Sequence, residues 1–259
     1  MKNGLNVSLY RQDLPQQNAQ GKTLVIACPE QGAPELLYFG DALPKTTDLN
    51  SLYLSQQAAI PQAMMDKPTP MSLIPEAGRG WLQTAGVEAM AADRPAWAAC
   101  WTLVDVEEQQ NGFLIRLEDK VAQLSVALNI GLLPSGVLRQ QLTLSNQGQA
   151  DVTVQRLACT LPVASKCTER MGFYGRWCQE FQQERSDWYA TWLQENRNGR
   201  NSQANFPAVI VGEQGFGEQQ GELVGAQQGA ITLHALEDYI KRKQEQAGQE
   251  KLKQELSKN

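Results

Sequence analysis

The sequence is almost without histidine. Its 259 residues include one, His234, so residues 1–233 offer no imidazole to act as a general base, a catalytic-triad member or a metal ligand. Most Ser-His and Cys-His mechanisms depend on that group, and the absence excludes them together with His-ligated zinc. We therefore expect neither a metal nor another cofactor.

Cysteine is also scarce, and its spacing indicates no site. The cysteines are odd in number and form no Cys-x-x-Cys pair of the kind that binds zinc or undergoes redox cycling. We predict reduced, mostly buried thiols at Cys28, Cys100, Cys159, Cys167 and Cys178.

Excess positive charge and long apolar runs are missing as well. The formal net charge is −5 and the isoelectric point is about 5.1, whereas binding to phosphates needs a basic face. No stretch approaches the roughly 20 apolar residues of a membrane-spanning helix, and the first residues lack the apolar region of a secretory signal. These features predict a soluble, cytoplasmic protein that binds neither nucleic acid nor membrane.

The residues that are present favour β-structure. From about residue 95 to 163, segments of roughly ten residues are separated by turn signals, as in a β-sandwich. Leu124, Val126, Leu128 and Ile130 alternate with small or polar residues, which places four aliphatic side chains on one face of a strand. That face is predicted to lie in the core.

Turn signals divide this region into consecutive antiparallel strands. Asn111-Gly112 lies between two apolar segments, 101–104 and 113–116, and predicts a type I′ hairpin turn. A third strand is expected over 138–144. Further strands are predicted at 23–27, 35–40 and 206–212. Residues 175–185 are interpreted as one strand rich in aromatic and charged residues. The stretch 43–75, which several prolines interrupt, is interpreted as an irregular loop.

The last thirty residues differ in character. They are rich in charge, with a short apolar stripe at Leu233, Leu236 and Ile240, and predict a solvated terminal helix. We therefore divide the chain into an all-β domain, residues 1–229, and a polar helical tail, residues 230–259.

Several short segments resemble the motifs of a known family, both in sequence and in their order along the chain. They are Leu36-Leu37-Tyr38-Phe39-Gly40 with Leu43-Pro44, Pro75 with Gly78-Arg79-Gly80-Trp81, residues 175–185, residues 194–202, Asn205-Phe206-Pro207 and residues 221–225. Over residues 20 to 225, the sequence resembles the N-terminal domain of glycoside hydrolase family 36 α-galactosidases.

The resemblance implies a fold and an activity. In that family the region is a large antiparallel β-supersandwich of two packed sheets, here followed by the short helix. It packs against a catalytic (β/α) barrel, and the enzymes hydrolyse terminal α-galactosyl residues with retention. α-Galactosides are thus the implied substrates if a barrel is supplied, and a barrel partner or self-association is expected.

The family's catalytic groups have no counterpart here. Its two aspartates lie on the barrel, the nucleophile within a Lys-Trp-Asp segment that this sequence lacks, and the sequence after Gly225 departs from the family. Ser202 is also followed by Gln203 where the family has histidine. The expectation is a non-catalytic, truncated part that is inactive alone; the alternative is a free-standing carbohydrate-binding or regulatory module.

Two groups of side chains remain as candidates for a site. The Gly78-Arg79-Gly80-Trp81 match implies that Trp81 and Arg79 lie at the rim of the substrate site, and most other tryptophans are expected to be packed. Solvated strand charge explains the remaining carboxylate pairs, which are Glu107 with Glu108, Glu118 with Asp119, and Glu180 with Glu184.

Overall fold

The computed structural model describes residues 5–12, 22–44, 46–60, 62–63, 68–189 and 204–227. The chain forms two compact units, Met1–Pro162 and Val163–Asn259. All strand pairs in the described residues are antiparallel, so the predicted all-β class is confirmed. The proposed tail, residues 230–259, and the motif at 194–202 lie outside the described residues.

The described residues of the first unit form three sheets and one α-helix. The sheets are β1-β2-β3, β4-β9 and β5-β6-β7-β8. Their elements are β1 (Leu5–Gln12), β2 (Lys22–Pro29), β3 (Glu35–Asp41), α1 (Leu49–Gln56), β4 (Val87–Ala91), β5 (Thr102–Gln109), β6 (Gly112–Asp119), β7 (Leu124–Leu132), β8 (Leu138–Asn146) and β9 (Val152–Leu157).

One hydrophobic core joins the three sheets. Every second residue of β7 from Leu124 to Leu132 is at most 1% exposed, which confirms the face predicted from the alternation. Alternate residues of β6 and β2, including Phe113 and Ile26, enter the same core. The four-stranded sheet therefore packs on the other two sheets as a sandwich.

Strand β2 is buried on both faces, which accounts for a helix that the sequence did not predict. Val25 and Ala27 lie outside the main core, in a second cluster with Leu37 of β3, and Leu49 and Leu52 of α1 pack against this cluster. The interpretation of residues 43–75 as an irregular loop was therefore wrong for α1. The helix is short and has no buried residue of its own, so its sequence carries only a weak signal.

The β5–β6 hairpin lies where the sequence predicted it, but its turn is different. Gln109 pairs with Gly112, so the two turn residues are Gln110 and Asn111, and neither has a positive φ. A Cβ at Gly112 would collide with the carbonyl oxygen of Ile130. Glycine is therefore needed here because β6 passes close to β7, and not for the turn conformation.

In the second unit, the part that the structure describes contains a four-stranded sheet in the order β11-β10-β12-β13. Its strands are β10 (Glu169–Arg176), β11 (Gln179–Asp187), β12 (Asn205–Gly212) and β13 (Leu223–Gln227). The sequence predicts one strand over residues 175–185, and this prediction was wrong. The segment contains the end of β10, a tight turn and most of β11. The predicted late strand is confirmed as β12.

Candidate functional site

The two candidate rim residues lie in a tight turn of the first unit, between α1 and β4. Residues Ala77–Arg79 form one turn of 3-10 helix, and Gly80 ends it with φ +84°. That left-handed conformation favours glycine. The hydroxyl of Thr69 donates to the carbonyl of Arg79 at 2.7 Å, which fixes the end of the turn.

A buried carboxylate anchors this turn to two other segments. Glu76 is 5% exposed, and its Oε2 accepts a hydrogen bond from the amide of Ala33 at 2.8 Å. Its Oε1 accepts from the amide of Trp101 at 2.6 Å and from Nε of Arg79 at 3.0 Å. One side chain thus joins the β2–β3 connection, the segment before β5 and the turn itself.

The electrostatics of Glu76 reflect two opposing effects. Burial raises the pKa of its carboxyl group, because the ionised form loses hydration, while the amides of Ala33 and Trp101 and the guanidinium of Arg79 oppose the rise. The hydrogen bonds explain how a carboxylate is accommodated in this interior position.

The guanidinium of Arg79 is held by hydrogen bonds to other groups of the protein. Its Nη2 donates to the carbonyl of Trp101 at 2.8 Å, in addition to the bond from Nε to Glu76. The amide of Gly32 donates to the same carbonyl at 2.9 Å. Two of the three guanidinium nitrogens therefore serve the anchoring of the turn, which the motif alone did not reveal.

Trp81 follows the turn and is partly exposed. Its indole N–H donates to the carbonyl of Thr84 at 3.2 Å, and its amide donates to the carbonyl of Glu76 at 3.3 Å. The neighbouring Leu82 is 97% exposed. The indole is thus held by its own loop while part of its ring faces solvent, an arrangement suited to contact with an apolar surface.

Gly78 allows this turn to pack closely. A Cβ at this position would collide with the carbonyl oxygen of Ala98 and the sulfur of Cys100. The Gly-Arg-Gly-Trp wording therefore has a physical basis: one glycine for close approach, one for a positive φ, an anchored arginine and a partly exposed indole.

The carboxylate pairs that the sequence analysis considered do not form a catalytic pair. Glu107 and Glu108 are adjacent in β5, and Glu118 and Asp119 are adjacent in β6, so each pair points to opposite faces. Retaining glycosidases need two carboxyl groups about 5–5.5 Å apart that flank the scissile bond. These pairs cannot provide that arrangement.

Asp119 is buried, so its interpretation as a solvated charge on a strand was wrong. It is 7% exposed, and its Oδ1 accepts from the amides of Val121 and Ala122 while Oδ2 accepts from the amide of Cys100 at 2.7 Å. Asp119 and Glu76 thus bind two consecutive amides ahead of β5. Both are structural acceptors that the sequence analysis missed.

Glu180 and Glu184 lie on β11 and have separate partners. Glu180 accepts from the amide of Cys178 at 2.9 Å, and Glu184 lies 3.6 Å from a nitrogen of Arg170. Four strand residues span roughly 13 Å, which exceeds the separation that either glycosidase mechanism uses.

The tryptophans are less buried than expected. Trp101 is a core residue with 1% exposure, whereas Trp97 and Trp177 are 66% and 84% exposed. The expectation of packed tryptophans was therefore wrong for these two. Trp192 lies outside the described residues.

Within the described ranges, no helix is long and apolar enough to cross a membrane. The cysteines are all unpaired thiols, and burial raises the pKa of Cys28 to about 12. Cys28 and Cys167 are buried, but Cys159 and Cys178 are exposed, so the prediction of mostly buried thiols was only partly right.

Comparison with known proteins places these features in a family. The model of the glycosyl hydrolase family 36 N-terminal domain matches residues 32–229. The α-galactosidase of Escherichia coli is 37% identical over 190 residues, which are 73% of this chain and 26% of that protein. The chain therefore spans about a quarter of the length of that relative.

Solved structures show the same fold. A variant of GH36 α-galactosidase AgaA from Geobacillus stearothermophilus, in complex with raffinose, is 16% identical with a TM-score of 0.63, and the match covers 84% of this chain and 33% of that chain. The α-galactosidase from Lactobacillus brevis is 13% identical with a TM-score of 0.60, covering 84% and 32%.

Proposed function

Because this chain belongs to the family of the glycosyl hydrolase family 36 N-terminal domain, we propose that it acts as the non-catalytic N-terminal part of an α-galactosidase. The observation that carries this proposal is the use of two buried carboxylates in the first unit. Glu76 and Asp119 accept backbone amides on both of their oxygens, which makes them structural acceptors. The nucleophile and the acid/base then come from a barrel partner.

The test is hydrolysis of an aryl α-galactoside by the purified chain of 259 residues. The expected result is no turnover above the blank, because a retaining mechanism needs a nucleophile and an acid/base, and the proposal assigns both to the barrel partner. A full-length α-galactosidase serves as the positive control. Turnover that persists through purification and disappears when one carboxylate of this chain is substituted would refute the proposal.

We propose that the turn at residues 78–81 contributes to the rim of the galactoside site. Trp81, which is partly exposed, would stack its ring on the apolar face of a galactosyl unit. Arg79 would act mainly through the position of the loop, since two of its nitrogens bond to Glu76 and Trp101. Raffinose, which is bound in the AgaA structure, is the suitable test ligand.

A second candidate function is a free-standing carbohydrate-binding module. The partly exposed Trp81, held by its indole N–H, favours it. Titration with raffinose, followed by tryptophan fluorescence, tests it in the full chain. Saturable binding that is lost in Trp81→Phe but kept in the exposed control Trp97→Phe supports the module, whereas no binding in the wild type favours the accessory role.

We also propose that the chain self-associates and that it works in the cytoplasm. Exposed aromatic side chains on the second unit, among them Tyr174, Trp177 and Phe181, support self-association. Unpaired cysteines support a reducing compartment.

A further inference from the structure

Three aromatic rings form a cluster on the sheet of the second unit. Phe173, Phe181 and Phe206 come from β10, β11 and β12, and the centroid of the Phe181 ring lies 5.1 Å from that of Phe173 and 4.7 Å from that of Phe206. Phe181 nevertheless remains 59% exposed, and its φ of +58° is a conformation that bulky side chains rarely adopt. This aromatic cluster is therefore an apolar surface that the described residues leave partly uncovered.

The chain leaves the sheet at the end that carries this cluster. β13 runs antiparallel to β12, and its last residue, Gln227, lies opposite Ala208. Phe206 is further along β12, in the direction in which β13 would continue. The residues after Gln227 therefore start beside the aromatic cluster.

The apolar stripe of the tail, which is Leu233, Leu236 and Ile240, is within reach of the cluster. The segment from Gln227 to Leu233 spans up to about 20 Å when it is extended. Because neighbouring strands lie about 4.8 Å apart, the width of the sheet from β13 to β11 is only about 14 Å. In the predicted helix the three apolar residues share one face and cover about 10 Å of its length, which is comparable with the extent of the three rings.

The tail is a better occupant of this surface than a separate molecule, for two reasons. A short helix in water depends on the packing of its apolar face, and the other residues of the tail are mostly polar or charged, so the stripe is the face that can be packed. A segment tethered by a few residues also has an effective concentration in the millimolar range, whereas a separate molecule has to be supplied at that concentration.

We propose that the apolar stripe Leu233, Leu236 and Ile240 docks on the aromatic cluster of its own chain. The docked stripe replaces the expectation of a solvated terminal helix for this part of the tail. The inference goes beyond the proposed function and does not rest on it. It also predicts that the tail and a second copy compete for Phe181, which belongs to the surface proposed for self-association.

The first test is hydrogen exchange in the full chain, at concentrations where sedimentation shows a monomer. The amides of residues 234–240 are expected to exchange at least about tenfold more slowly than in an unstructured peptide of the same sequence. Phe181→Ala is expected to remove at least about fivefold of this protection. The control is Trp97→Ala, which removes an aromatic ring of similar exposure, 66%, from the first unit and should leave the rates unchanged.

The second test leaves the sheet intact and changes the tail. The exposed thiol of Cys178 lies close to Phe181 along the chain, and the exposed thiol of Cys159 in the first unit is an internal control. Leu236→Ser is expected to raise the alkylation rate of Cys178 at least about threefold, because the docked stripe no longer shields it, and to leave Cys159 unchanged. Leu252→Ser, a tail substitution outside the stripe, should change neither rate.

The outcomes separate this inference from the proposed self-association. A monomeric wild type with protected tail amides supports the docking even if it refutes self-association, and tighter association of Leu236→Ser supports the competition for Phe181. Tail amides that exchange at the rate of the unstructured peptide overturn the docking. So do protection that Phe181→Ala leaves unchanged in a chain that circular dichroism shows folded, protection that Trp97→Ala removes, and protection that appears only at concentrations where the chain self-associates.

Discussion

Removal of the Glu76 carboxylate should destabilise the first unit strongly. Glu76→Ala leaves the amides of Ala33 and Trp101 without their acceptor, and these residues are 2% and 1% exposed. Each buried donor without a partner costs about 1–3 kcal/mol, so the two amides together cost about 2–6 kcal/mol. Native domains have only about 5–15 kcal/mol of stability, and the loss is therefore a large fraction.

The effect can be measured by thermal and chemical unfolding. For a unit of this size, 1 kcal/mol corresponds to about 2–4 °C in Tm, so the lower end of the range already predicts a loss of about 4–8 °C. Glu76→Gln keeps one acceptor oxygen and should lie between the wild type and Glu76→Ala. Hydrogen exchange of the Ala33 and Trp101 amides should quicken in the same order.

The matched control is Glu107→Ala, which removes a carboxylate that binds Arg116 on the exposed face of the same unit. An exposed ion pair contributes about 0–1 kcal/mol, so this variant should remain close to the wild type. If Glu76→Ala cost no more than this control, the carboxylate would not be the anchor of the turn that carries Trp81.

Three other variants test the core, the turn and the second unit. Leu128→Ala should cost about 2–5 kcal/mol in chemical denaturation, because it opens a cavity beneath β7, whereas Leu82→Ala should cost almost nothing; equal costs would contradict the assigned core. Gly78→Ala should shift the emission of tryptophan and lower Tm, since its Cβ has no room, and an unchanged spectrum and Tm would show that the turn adapts. The hydrogen bonds from Arg185 lower the pKa of Glu169 in the folded protein. The Glu169 carboxylate therefore stabilises the fold at pH values above its unfolded pKa, and this stabilisation is lost as the pH falls through the lower pKa of the folded state. Glu169→Gln should therefore be less stable than the wild type at pH 7 and nearly equal to it at the acid end of unfolding; a difference independent of pH would refute this.

The strands of the sheet β5-β6-β7-β8 could be predicted because their sequence signal is local. β7 buries one face, and the period of two in its sequence states which face that is. The family could be predicted from short motifs in order, and the match to residues 32–229 confirms it. Neither inference needs knowledge of which segments meet.

Features that depend on distant contacts could not be predicted in this way. The helix α1 packs against a cluster that includes Val25 and Ala27 of β2, which precede it by more than twenty residues. The requirement for glycine at Gly112 comes from the backbone of Ile130, although the Asn-Gly pair pointed to the turn.

The sequence by itself determined the β-class, the faces of the central strands, the family and the absence of histidine chemistry from nearly the whole chain, because each follows from composition, period or local wording. Only the tertiary structure decided that Arg79 is an anchored residue and that Glu76 and Asp119 are buried acceptors. The physical reason is that the amides that these carboxylates bind, at Ala33, Trp101 and Cys100, come from other segments of the chain. The packing of the sheets brings the amides to the carboxylates, and without such partners a carboxylate is expected to remain in solvent.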